Sequence, residues 1–180
     1  MNSASTLEYA LFGLLRQKAQ AGYDLRKTFT ETAMRHYSDS PGSIYPALRR
    51  LQSRGWIEAE PKDRRGREVF HPTPAGTAAF VEWLSQDLTY NDMAWRLQEL
   101  MLRFAFMDGN VPRSMAIRFL DQFEHELSVY VGELRAQFNQ MGAKLPVHTG
   151  LLAFQSGIEG MEAQLSWAQK ARRQLEEDVR

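Results

Sequence analysis

The stretch from Ser40 to Gly76, SPGSIYPALRRLQSRGWIEAEPKDRRGREVFHPTPAG, constrains this chain most, because signals for a helix, a strand, a turn, a second strand and a helix start follow one another within it. From Ser43 to Arg54, Ile44, Leu48 and Leu51 are spaced by four and three, one apolar stripe of a helix. Arg49, Arg50, Ser53 and Arg54 then face water. Pro46 lacks a backbone donor and is tolerated in a first turn, which places the helix start near Gly42 or Ser43.

Gly55 has the position of a C-terminal cap, and Trp56 to Glu60 reads as a short half-buried strand. Pro61 to Gly66 is turn chemistry and Glu68-Val69-Phe70-His71 returns as the second strand. Thr73-Pro74 caps and starts the next helix. The order is a helix-turn-helix followed by a β-hairpin wing. In such an element the N-terminal part of the second helix approaches base edges, and cations at the wing tip meet the phosphate backbone. The expected contacts with double-stranded DNA are therefore Ser40, Gly42, Ser43, Tyr45, Pro46, Arg49 and Arg50 on the helix, and Lys62, Arg64, Arg65 and Arg67 on the wing. Arginines at helix ends and hairpin tips also occur as plain solvated charge, so the ordered set carries more weight than any one of them.

Charge is balanced over the 180 residues, with 22 Lys and Arg against 22 Asp and Glu. Its distribution is uneven: residues 1–84 hold 12 basic and 9 acidic side chains, and Arg49 to Arg67 alone holds seven against three. Such asymmetry suits a nucleic-acid-facing front and a back half that faces something else. There is no cysteine, which excludes disulfides and thiolate chemistry. With no apolar run of membrane-span length and no secretory pattern in MNSASTLEYA, a cytoplasmic protein is expected.

Ahead of the reading helix, Ser5 and Glu8 have capping-box spacing, starting a helix with Leu7, Leu11, Leu14 and Leu15 on one face. A Gly22 turn separates it from a second helix carrying Tyr23, Leu25 and Phe29, and residues 33–42 form the turn into the reading helix. Phe80, Trp83 and Leu84 continue the helix begun at Thr73, and Leu97, Leu100, Met101 and Phe104 lie on another before the Asp108-Gly109-Asn110 break. From Pro112, apolar residues including Leu120, Phe123, Leu127 and Leu134 recur at steps of three or four. After a break at 142–146, Phe154, Ile158, Met161 and Leu165 do the same. Two long stripes joined by a short turn make an antiparallel helical hairpin. A hairpin alone buries too little of each stripe, so pairing with a second copy through these eight residues is expected. The expected fold is mainly α: a winged helix-turn-helix with a two-stranded β-wing over residues 1–84, and a helical dimerisation domain with a long antiparallel helix pair over residues 85–180.

The ordered set GSIYPALRRLQSRGWIE, the basic GR-containing turn and TPAG, with the Leu7 to Leu15 helix and the Gly22-Tyr23-Asp24-Leu25 element, resembles the winged-helix domain of the PadR family of bacterial transcriptional regulators. The resemblance covers roughly the first half. More diffusely, the back half is similar to the helical domain of the longer members, the virulence-activator type among them. Glu68 to His71 departs from the more basic and aromatic strand the family leads one to expect. What the resemblance implies is a homodimeric repressor that selects an inverted-repeat operator, its reading helices about 34 Å apart, and that is released by a small aromatic effector such as a phenolic acid. Candidate effector residues are His36, Tyr37, Trp95, Arg96, Arg103, Phe104, Tyr130 and Trp167, which supply apolar walls, a cation or a hydroxyl; packed or surface roles are the plainer reading of each.

Other classes are less well supported. His36, His71, His125 and His148 lack metal-ligand spacing, and no phosphate loop, nucleophile elbow or carboxylate pair is present, so no catalytic residue, metal or cofactor is expected. A winged-helix protein-interaction module would share every packing feature and differ only at the surface of the reading helix. An activator without a small-molecule ligand is the other alternative.

Overall fold

The computed structural model describes residues 4–37, 41–61, 67–143 and 146–177. It divides into two compact units, Met1–Leu84 and Ser85–Arg180. In the first, α1 spans Thr6–Gln17 and begins with the expected capping box: Glu8 N–H donates to Ser5 Oγ at 3.3 Å, and Ser5 N–H donates to Glu8 Oε2 at 2.6 Å. A two-residue strand, β1 (Gln20–Ala21), leads directly into α2 (Gly22–Glu31), so Gly22 is the first residue of a helix and not a turn. A single 3-10 turn over Ala33–Tyr37 replaces the irregular connection expected there.

The reading helix α3 spans Pro41–Ser53 and starts one or two residues earlier than expected. Pro41 is suited to a first helical position, and Pro46 is thereby carried into the second turn, where it offers no N–H to the carbonyl of Gly42. The far end closes as a Schellman cap: Gly55 has φ +69°, its N–H reaches Gln52 O at 2.9 Å, and Trp56 N–H reaches Leu51 O at 3.0 Å. The strands β2 (Ile57–Ala59) and β3 (Val69–Pro72) then form the wing. Among the described residues the sheet has three strands where two were expected, in the order β1-β3-β2 and antiparallel throughout. Gln20 pairs with Phe70, and Ala59 pairs with Phe70 from the other side. A two-residue strand carries too little periodicity to be seen in a sequence.

Thr73 accepts from Gly76 N–H at 3.1 Å and starts α4 (Pro74–Leu84). The core of this unit is the apolar stripes of α1, α2 and α3 closed by α4, with Phe12, Leu15, Leu25, Phe29, Ile44, Leu48, Leu51 and Phe80 buried. Tyr9 stacks on Trp83 at 4.1 Å with planes 5° apart. Gly76 is where the winged element meets α1: a Cβ there would stand 2.3 Å from the Trp56 carbonyl oxygen and 2.6 Å from a Phe12 ring carbon.

The second unit contains α5 (Tyr90–Trp95), α6 (Leu97–Ala105), α7 (Arg113–Gly142) and α8 (Thr149–Glu177). The short α5 was not expected; the Asp92 carboxylate starts it by accepting the Thr89 N–H at 2.9 Å and hydroxyl at 2.8 Å. At 30 and 29 residues, α7 and α8 are each roughly 45 Å long and pack as the expected hairpin. Of the residues expected at a dimer face, half are already covered within the single chain. Leu120, Phe123, Leu127 and Ile158 are fully buried within the single chain. Leu134, Phe154, Met161 and Leu165 are half-buried. The stripes close on each other and on α6, whose Phe104 meets the Phe119 ring at 5.7 Å and Trp167 edge-on at 5.5 Å. They are core first, and a stripe period by itself does not say which chain supplies the partner.

Candidate nucleic-acid interface

The stripe that buries Ile44, Ala47, Leu48 and Leu51 leaves the opposite side of α3 in water. Tyr45 is 44% exposed, Gly42, Pro46 and Arg49 are exposed, and Ser43 is half-buried. Tyr45 and Arg49, one turn apart, line a cleft of about 500 Å³ together with Gly22 and Tyr23 of α2, Gln52 of α3 and Arg67 at the foot of the wing. Gly22 makes this approach possible, since a Cβ on it would lie 2.8 Å from a Tyr45 ring carbon. The exposed ring of Tyr23 carries the Arg26 guanidinium 5.5 Å from its centroid. Thus the structure brings Tyr45, Arg49 and Arg67 together. Ser40, Lys62, Arg64 and Arg65 lie outside the described residues.

Two arginines of the expected set have partners inside the unit. Arg50 Nε donates to Glu8 Oε1 at 2.9 Å, and Arg67 is paired with Asp24 of α2. Glu8 is only 2% exposed. Burial works to raise its pKa, but the Ser5 backbone N–H and the Arg50 guanidinium outweigh it and hold the carboxyl below its ordinary value. Arg54, also expected to face water, has Nε 3.9 Å from the same carboxylate oxygen and its guanidinium 5.7 Å from the Trp56 ring centroid. Sequence reasoning missed Glu8, Asp24, Tyr23 and Gln52. For Tyr23 and Asp24 the Gly22-Tyr23-Asp24-Leu25 element was a usable signal; Glu8 had already been given a complete role as a capping residue.

The expected effector residues fall in both units, and those of the second unit do not line one common cleft. Of the first unit, Tyr37 is half-buried, which pushes its hydroxyl pKa up, and the His36 side chain lies outside the described residues. Within the second unit, Trp95 is 86% exposed. Arg96 is held by Asp92 at 3.3 Å and Glu99 at 2.5 Å. Tyr130 packs edge-on to Tyr90, with centroids 5.4 Å apart. Arg103 is buried, donates to the Gln86 carbonyl and lies 5.4 Å from the Phe119 ring centroid. Burial pushes its guanidinium down, against the pull of Asp92 and Glu99. Phe104 alone among them lines a cleft of about 630 Å³, with Met107, Val111, Ala116 and Leu175 as apolar wall and Asp108 and Arg113 as polar groups. Among the described residues no group of histidine and acidic side chains could hold a metal ion, and no helix is long and apolar enough to cross a membrane.

Residues 11–82, which contain the cleft and both layers around it, match the transcriptional regulator PadR-like family. The likeness to the PadR-like family lies in that domain. The transcriptional regulator Rv3488 of Mycobacterium tuberculosis is 45% identical over 56 residues, 29% of this chain and 52% of that protein. The match thus spans about half of that relative's length. The negative transcriptional regulator PadR of Bacillus subtilis is 24% identical over 181 aligned residues, 96% of this chain and 98% of that one. Among solved structures, that of Bacillus subtilis PadR in complex with operator DNA is 20% identical and aligns over 94% of this chain and 98% of its own with a TM-score of 0.43. That of the same protein in complex with p-coumaric acid is 21% identical over 98% of each chain, with a TM-score of 0.44.

Proposed function

We propose that this chain is a sequence-specific DNA-binding repressor that acts as a homodimer on an inverted-repeat operator. The observation that carries the reading is the exposed side of α3: Tyr45 and Arg49 stand clear of a fully buried stripe and share a cleft with Arg67 of the wing. Arg49 can reach base edges or phosphate, and the positive dipole end at the α3 N-terminus favours phosphate. The wing cations Lys62, Arg64 and Arg65 add sequence-independent affinity. Repression is favoured by the full-length likeness to a protein named as a negative regulator, and by the simplicity of blocking a promoter by occupancy. Pairing of two copies would use the surfaces the hairpin leaves open, where Val129, Met141 and Leu152 are exposed.

Release by a small aromatic acid is the finer part of the proposal. It rests on the family resemblance and on the Phe104 cleft, whose size suits a small organic ligand and whose apolar wall is edged by Arg113. The test is selection of duplexes from a random library by the purified chain, followed by fluorescence anisotropy on the enriched sequence and light scattering. Enrichment of an inverted repeat bound by a dimer supports the reading; absence of enrichment at low salt removes it in favour of a protein-interaction module. Calorimetry against a panel of phenolic acids tests the effector, and no heat at millimolar ligand removes that part.

A further inference from the structure

We infer that Glu8 is a positioning residue for DNA recognition: by holding Arg50 it sets the rotation of α3 about its axis, so that Arg49 and not Arg50 faces the cleft. The inference rests on the DNA-binding reading of that cleft. Adjacent residues on a helix project about 100° apart, so two consecutive arginines point to different sides of it. Arg49 lines the cleft with Tyr45. Arg50 turns the other way, to a carboxylate that is 2% exposed although its own side chain is half in water.

Several observations make this more than a surface ion pair. The two Glu8 oxygens are divided between two elements: Oε2 accepts the Ser5 N–H at the start of α1, and Oε1 accepts Arg50 Nε on α3. Arg54, one turn on, places its Nε 3.9 Å from Oε1 and lies over Trp56, the residue that opens the wing. Trp56 in turn lies 5.7 Å from Tyr9, the neighbour of Glu8 in α1. One buried carboxylate therefore references the α3 rotation and the base of the wing to the rigid start of α1. A buried carboxylate stripped of its cation is strongly disfavoured, which makes the α3 orientation that presents Arg50 the one that keeps it compensated.

The test compares E8Q, R50Q, the E8Q/R50Q double variant and R49Q in the full chain, using the duplex enriched by selection and a random duplex of equal length. E8Q and R50Q should each lower the ratio of selected to random affinity by about ten-fold, as loss of one well-aligned base contact does. The double variant should be no worse than either single one, because both remove the same link. R50Q should keep the wild-type dependence of affinity on salt, whereas R49Q lowers that slope by about one phosphate equivalent. A slope lowered by R50Q as much as by R49Q, or additive penalties in the double variant, overturns the inference, because Arg50 would then be a DNA contact itself. Should E8Q fail to fold, the R50Q slope and ratio decide alone. A wild-type chain that enriches no sequence overturns the parent reading and this one with it, a result distinct from all of the variant outcomes.

Discussion

Gly76 packs directly beneath Trp56, with space for a hydrogen and none for a methyl group: a Cβ would meet the Trp56 carbonyl oxygen at 2.3 Å and its Cα at 2.7 Å. These are backbone atoms, held from the other side by the Thr73 N–H donating to the same carbonyl at 2.8 Å, so they cannot swing aside as a side chain would.

Gly76→Ala is therefore expected to destabilise the winged unit by about 3 kcal/mol, the upper range for overpacking. The wing and α1 would be forced apart. Thermal unfolding followed by Trp fluorescence checks it, and a midpoint within a degree of wild type would contradict the close approach.

Arg49→Ala and Tyr45→Ala should both weaken binding to a selected duplex, Arg49→Ala by about ten-fold, with the association state unchanged by light scattering. Arg49 is exposed, so its loss should leave stability within about 0.5 kcal/mol, whereas loss of the Tyr45 ring, which lies against Gly22, should cost about 1 kcal/mol. Unchanged affinity in both would mean that the reading surface lies elsewhere.

Glu8 gives stability an acid dependence of defined sign. Its carboxyl titrates lower in the folded than in the unfolded chain. The unfolded state therefore binds the proton more readily, and the stabilisation is complete above the ordinary glutamate value of about 4.3. It is lost as pH falls below that value toward the depressed folded one. Urea unfolding followed from a plateau at about pH 6 down to about pH 3 should show a midpoint that falls below the ordinary glutamate value, with a shallower fall in Glu8→Gln.

Phe123→Ala tests whether the long stripes are internal. Phe123 is fully buried and faces Phe119 at 6.3 Å and Trp167 at 6.4 Å. The substitution should cost about 3–5 kcal/mol of stability in the helical unit. A residue that served only a dimer face would instead shift the association equilibrium at unchanged stability of each protomer, which sedimentation over a concentration series distinguishes.

Much of this architecture was legible because its signals are local. The Ser5/Glu8 capping box, the Gly55 cap and the Thr73-Pro74 start each announce themselves within four residues, and the structure makes the corresponding bonds. The stripes of α7 and α8 were legible for the same reason, as a repeat along one helix. What could not be read is what depends on partners far apart in sequence. The pairing of Gln20–Ala21 with Val69–Phe70 joins residues some fifty apart through backbone alone, leaving no trace in side-chain type. Arg50 looked identical to Arg49 as a solvated cation because Glu8 lies 42 residues away. Whether an apolar stripe closes on its own chain or on a copy is likewise a long-range fact. Phe104, on the separate helix α6, supplied the cover that the period could not reveal.

The place of β3 in the middle of its sheet has a mechanical meaning. A hairpin with a bare outer edge could hinge at its base, but here that edge is stitched to the two residues that immediately precede α2. A displacement of β3 is consequently passed to the first turn of α2, where Gly22 and Tyr23 form a wall of the cleft that Tyr45 lines.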